Sequence, residues 1–172
     1  MRAPPFLGRL PDLIDDWIVD VKMQEENAMS DQALVDAAKA SIIAYGAKDW
    51  DAVRRVVTPG IVYDEVSTNR NVRGIDDVLA IWQGWAAALP DSKASFESVH
   101  VSGNTVILEL TWRGTHTGPL RTAAGEIPAT GRPIELRACQ IVDVVDGKTH
   151  RVRQYFDMAT LMTQLGVTGV GV

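Results

Sequence analysis

The chain is poor in the residues that staple or metallate small proteins. Among 172 residues there is one cysteine, Cys139, so no disulfide can close within the chain. A reducing, cytoplasmic setting is the expectation. Cys139 lies inside an alternating apolar run and reads as a small core hydrophobe rather than a nucleophile. The three histidines, His100, His116 and His150, show no ligand spacing, so no structural metal is expected. Basic residues are outnumbered, 17 against 22 acidic, giving a net charge of -5 and a pI of about 5.1. That balance argues against nucleic-acid or anionic-membrane partners. No apolar run approaches membrane-spanning length. The opening MRAPPFLGRL lacks the long apolar core of a secretory signal.

What is present is a globular composition. Hydrophobic residues make up 46%, enough for one domain with a full core. Residues 1–29 read as an extension. Pro4, Pro5, Gly8 and Pro11 keep its start irregular, and Leu10, Leu13, Ile14, Trp17, Ile18 and Val21 recur at helical spacing. The polar face of that short helix is acidic, which fits packing on protein better than lying on a membrane. The compact domain is expected over 30–167, with a tail at 168–172.

Within it Ser30 caps a helix whose stripe is Leu34, Ala38, Ile42 and Tyr45. A short helix follows over about 50–57, then a strand at 61–66. A helix after Gly74 carries Ile75, Val78, Leu79, Trp82, Ala86 and Leu89 and stops at Pro90. The remainder reads as sheet, over about 93–102, 104–117, 133–145 and 148–156. Gly103-Asn104 and Asp146-Gly147 mark tight turns. The insert 118–132 reads as a long loop. Asp157 reads as the N-cap of a last helix. Helices first and antiparallel sheet after predict an α+β fold, with helices on one face of a curved sheet enclosing a cavity.

Strand alternation assigns the faces. Even positions from Val106 to His116, from Ile134 to Val144 and from His150 to Phe156 form the inner face. It is apolar except for a few groups, chiefly His116, Gln140 and Gln154. Few polar groups on an apolar concave face describe a ligand pocket; a packed core whose polar groups satisfy one another is the plainer alternative. His116 is the candidate acid or base, because imidazole titrates near neutrality. Asp64 and Glu65 are adjacent, so only one can point inward, and the pattern leaves open which. Trp82 and Trp85 lie on the helix that should roof the cavity. Arg137, Arg151 and Arg153 take the outer parity.

Four segments carry a family resemblance: Gly114-Thr115-His116-Thr117-Gly118-Pro119, Pro128-Ala129-Thr130-Gly131-Arg132-Pro133, Val145-Asp146-Gly147-Lys148, and Tyr155-Phe156-Asp157 leading to Gln164-Leu165-Gly166. In order and spacing they resemble the SnoaL-like polyketide cyclases of the nuclear transport factor 2-like superfamily, over roughly 30–166. Limonene-epoxide hydrolases look similar in the same region. The resemblance implies an α+β cone, a deep apolar pocket, a homodimer and chemistry without metal or cofactor. An acid/base aspartate of the last strand falls on Gln154 here. A histidine of the preceding strand falls on Gln140. Tyr63 and Glu65 resemble the Tyr and Asn that hold water in the epoxide hydrolases.

Three functions follow as expectations. The first is a cofactor-independent cyclase or isomerase acting on an apolar, carbonyl-bearing, polyketide-like metabolite. His116 or Glu65 would be the base, Gln154 and Gln140 would bond the carbonyl, and Trp82, Trp85 and Trp112 would form the apolar wall. The second is an epoxide hydrolase-like activity in which Glu65 activates water. The third is a non-catalytic ligand-binding or dimerisation module.

Overall fold

Two tight turns set the register of half the sheet. In the computed structural model, which describes residues 29–122 and 125–167, Asp146 and Gly147 both take positive φ, 50° and 70°. That pair of conformations matches the right-handed twist of the strands it joins, and Gly carries the larger angle at no steric cost. The chain divides after Ser30 into two units, the second running from Asp31 onward. The helix expected over residues 10–21 lies outside the described residues.

The elements run α1 Asp31–Ala47, α2 Trp50–Val56, β1 Val57–Glu65, a 3-10 turn Val66–Thr68, β2 Arg70–Arg73, α3 Ile75–Ala88, β3 Lys93–Ser102, β4 Thr105–Thr115, β5 Leu120–Thr122, β6 Gly125–Ile127, β7 Pro133–Val145, β8 Lys148–Phe156 and α4 Met158–Leu165. Six strands form one sheet in the order β2-β1-β8-β7-β4-β3. Only the β1–β8 pairing is parallel. The helices bury their stripes, Leu34, Ala38, Ile42 and Tyr45 on α1 and Val78, Leu79, Trp82 and Ala86 on α3. This is the curved α+β sheet with helices on its concave face that the sequence predicts. Among the described residues no helix is long and apolar enough to cross a membrane.

Three features depart from the sequence reading. Strand β2 is short, polar and at the edge, so it carries no alternation to read. The insert contains a two-stranded ribbon, β5 with β6. The third is a parity break. The β7–β8 register shifts between Asp143 and Val144, so near the turn the inner residue is Thr149, not His150. Thr149 is 0% exposed and donates to the Ala37 carbonyl of α1 at 3.3 Å. His150 instead bonds Thr58 through Nδ1 at 2.9 Å.

The segment Gly114–Pro119 is a docking device. A Cβ on Gly118 would stand 2.0 Å from the Ala87 carbonyl oxygen. Without one, the backbone N–H groups of Thr117 and Gly118 both reach the Ala88 carbonyl, at 3.1 and 3.2 Å. These donors satisfy a carbonyl left open at the C-terminus of α3. A Cβ on Gly114 would lie 3.0 Å from Ser92 Cα. Beside it, Asp91 accepts the Thr115 N–H at 2.7 Å and the Thr115 hydroxyl at 2.9 Å. Helix α4 is held in a similar way. Asp157 caps it by accepting the Ala159 N–H at 2.9 Å. The Gln164 side chain accepts the Glu135 N–H and donates to the Glu135 carbonyl, both at 2.8 Å.

Gly118→Ala is therefore expected to cost about 3 kcal/mol, the upper end of the overpacking range. Calorimetry would read this as a clear fall in Tm. An unchanged Tm would mean that the loop can lift off α3 freely.

Candidate functional site

Between the inner sheet face and helices α1, α3 and α4 lies a cavity of about 70 Å³. Ile42, Leu89, Ile134, Leu136, Val152 and Leu161 give it aliphatic walls, and Trp82, Trp85, Trp112 and Phe156 give it aromatic ones. The rings meet edge to face. Tyr63 and Trp82 are 5.6 Å apart at 87°, Trp85 and Phe156 6.0 Å apart at 89°. That geometry matches positive ring edges to negative ring faces and holds each indole in one orientation.

Two amides sit on this apolar surface. Gln140 and Gln154 are direct cross-strand partners, and Gln140 Nε2 donates to Gln154 Oε1 at 2.5 Å. The bond turns Gln154's oxygen toward its neighbour. It leaves the Gln154 NH₂ and the Gln140 oxygen available to a ligand.

Of the two adjacent carboxylates, Glu65 goes inward. It shares parity with Ile61 and Tyr63 and is 0% exposed. Oε1 accepts the Tyr63 hydroxyl at 3.0 Å and the Trp85 indole N–H at 2.7 Å. Oε2 accepts the Thr68 hydroxyl at 2.5 Å and faces the Arg70 guanidinium at 3.6 Å. Asp64 points to the outer face, where Arg151 lies at 3.9 Å. Glu65 does not itself line the cavity. It stands behind the wall and grips two residues that do, Tyr63 and Trp85. Burial and the adjacent Glu65 charge push the Tyr63 phenol well above its usual range, so it stays protonated.

A family profile for SnoaL-like polyketide cyclases matches residues 12–165. The chain belongs to the SnoaL-like polyketide cyclase family. Solved structures agree in fold. A protein from Jannaschia sp. CCS1 classed as a SnoaL-like polyketide cyclase superposes with a TM-score of 0.72 at 22% identity, over 83% of this chain and 99% of that one. IdmH of Streptomyces antibioticus, classed as a polyketide cyclase, gives 0.66 at 25% identity over 78% and 99%. An LEH-like epoxide hydrolase of M. tuberculosis gives 0.61 at 19% identity over 78% and 90%. No curated protein sequence matches the chain.

In this SnoaL-like domain the predicted site residues divide. Tyr63, Trp82, Trp85, Trp112, Gln140 and Gln154 come together around the cavity. His116 does not join them. It follows the last residue of β4, where the chain leaves the sheet and pairs with Gly131 and Arg132. It is 0% exposed. Its Nδ1 accepts the Thr130 N–H at 3.3 Å and bonds the Thr130 hydroxyl at 3.0 Å, while Nε2 is buried without a partner among the described residues. Strand β4 ends at Thr115, so strand parity does not extend to His116 and does not carry its imidazole to the cavity face. Among the described residues no carboxylate or imidazole lines the cavity, and no group of three or more His, Cys, Asp or Glu converges on one point.

The sequence reading also missed lining residues. Tyr45 was legible only as the end of an apolar stripe, and nothing around Ser41 or Ser92 marks either as facing a cavity.

Burial lowers the His116 pKa from its usual 6.5. The unfolded chain therefore takes up this proton first as pH falls. The stabilisation is complete above about 6.5 and is lost as pH drops through the folded value. Asp91 and Asp157 are also lowered, from 3.8, by hydrogen bonds to Thr115 and Thr160, and act only in stronger acid. Between about pH 7.5 and about pH 5.5, the wild-type Tm should fall more steeply than that of His116→Gln. Parallel melting profiles would show that the imidazole titrates alike in both states.

Proposed function

We propose that this protein binds an apolar, carbonyl-bearing metabolite of the polyketide type. It abstracts a proton next to the carbonyl and closes or isomerises a ring without a cofactor. The observation that carries the reading is the Gln140–Gln154 pair, hydrogen-bonded across two strands on an otherwise apolar wall. An amide cannot exchange protons as a carboxylate does, but its N–H can stabilise the oxygen on which enolate charge develops. Gln140 holds Gln154 in the orientation that presents that N–H.

The proton has a path through Tyr63. Its hydroxyl donates to Glu65 and its ring lines the cavity. As the phenol oxygen takes the substrate's C–H proton, its own proton passes to Glu65. The electron pair of the broken C–H bond becomes the enolate, which attacks a second carbonyl of the same chain. The new alkoxide takes the proton back along the same route, so substrate and product are isomers. Trp82 and Trp85 fold the chain and exclude water.

Binding without turnover is the second reading. One observation favours it: Glu65 is already met by four donors, which blunts a base. An epoxide hydrolase role needs a carboxylate against bound water, and the described lining has none. The domain is further proposed to work as a homodimer.

A thermal-shift panel of polyketones, steroids and terpenoid epoxides would find a ligand. Deuterium uptake at the carbon between the carbonyls of a bound diketone would then read proton abstraction directly. Glu65→Gln and Tyr63→Phe should each slow uptake by roughly a hundredfold or more with little change in binding. Uptake at the wild-type rate in both would remove Glu65 and Tyr63 from the chemistry. Binding with no uptake in wild type would favour the second reading.

A further inference from the structure

The cavity has a second polar end, lined by Tyr45, Ser92 and Trp112, with Lys48 packed against the first two from outside the lining. Lys48 Nζ donates to the Ser92 hydroxyl oxygen at 3.0 Å and to the Ser92 carbonyl at 3.3 Å. The same ammonium lies 4.1 Å over the Tyr45 ring. Burial lowers its pKa from 10.5 and the nearby Asp91 carboxylate opposes that shift. The Tyr45 and Ser92 hydroxyls are 3.3 Å apart, and both residues line the cavity.

Counting hydrogens decides what this cluster wants. Lys48 only donates, and each hydroxyl carries one hydrogen. The two hydroxyls share one mutual hydrogen bond, whichever of them donates. One hydroxyl hydrogen is therefore left over, with no acceptor among the described residues. Trp112 lines the same end, packed edge to face on Tyr45 at 5.3 Å and 80°, and its indole N–H is buried without an acceptor among the described residues. Two unspent donors on cavity-lining residues, one of them on a pair that an ammonium already contacts, call for an anionic oxygen.

This end is far from the glutamines. Trp112 pairs with Leu136, whereas Gln140 pairs with Leu108. The two rows lie four residues apart along the strands, roughly 13 Å at the rise of an extended chain.

We infer that the Tyr45–Ser92–Trp112 end of the cavity is a subsite for an ionised oxygen of the ligand, a carboxylate or an ionised enol or phenol. The ligand is thus elongated and carries oxygen functions at both ends, one on the glutamine pair and one here. The inference rests on the reading of the cavity as a carbonyl-ligand pocket and narrows the substrate class.

Anthraquinone, its monocarboxylate and its ionised monohydroxy derivative serve as probes, with binding read by quenching of the lining tryptophans. Wild type should bind at least one charged probe about tenfold or more tighter than the neutral parent, the scale of one charge-assisted hydrogen bond. The two charged arms tell carboxylate from ionised hydroxyl. The same counting predicts that Tyr45→Phe or Ser92→Ala alone keeps most of the preference, since each still leaves one free hydroxyl hydrogen. The double variant Tyr45→Phe/Ser92→Ala should lose most of it, and a cooperative melting transition in the same sample shows that it is folded. If all three probes bind wild type equally, the subsite inference is overturned and the pocket reading stands. If none binds, both fall.

Discussion

A carboxylate with no water around it must be met by donors, and the geometry of this domain follows from how Glu65 is met. Burying an unpaired charge costs several kcal/mol, so the four groups around Glu65 are structural obligations. They come from β1, the turn after it, β2 and α3. The Trp85 contact is the consequential one. It ties the helix over the cavity to the sheet beneath at a fixed spacing, and so sets the height of the space between them. Breaking such a pairing while leaving the charge behind costs about 3–5 kcal/mol. Cavity shape and domain stability therefore share a determinant.

Much of this was legible in the sequence, for stateable reasons. The turns at Gly103 and Asp146-Gly147 pin strand parity, so the inner placement of Val106 to Trp112 and of Ile134 to Val144 follows from counting. The stripes of α1 and α3 follow from helical period. Counting fails where the chain inserts an irregularity that leaves no local mark. The shift between Asp143 and Val144 puts Thr149 inside and His150 out. At the other end, His116 lies just beyond the final β4 residue, where pairing with Arg132 replaces sheet parity. The choice between Asp64 and Glu65 could not be made from neighbours that alternate. It is made by donors arriving from residues 2 to 20 positions away.

The segments that mark the family do more for assembly than for chemistry. Gly114 and Gly118 permit close approach, and His116, Thr130 and Gly131 lace two chain segments together. Gln164 completes the hydrogen bonding of a strand that has outrun its neighbour. The groups facing the cavity are scattered singly along the chain. Tyr45 ends a helix stripe and Ser92 sits in a loop, and a side chain that meets its partners only through folding leaves no pattern in linear order.

The place of β8 in the sheet bears on how the protein is made. Strands β3, β4 and β7 can join as neighbours in sequence, with short or moderate loops. Strand β1 has no place beside them until β8 lies between, because it pairs only with β2 and β8. Joining β1 to β8, as in the pair Val62 and Arg151, closes a loop of roughly two-thirds of the domain, a slow step in which entropy is lost before contacts repay it. Tyr63, Glu65 and Gln154 belong to those two strands. During synthesis the cavity therefore cannot exist until the last strand has left the ribosome, and until then its apolar walls are exposed. Early truncation or slow release of the C-terminal segment would leave a chain with its sheet split in two, no cavity, and a strong tendency to aggregate.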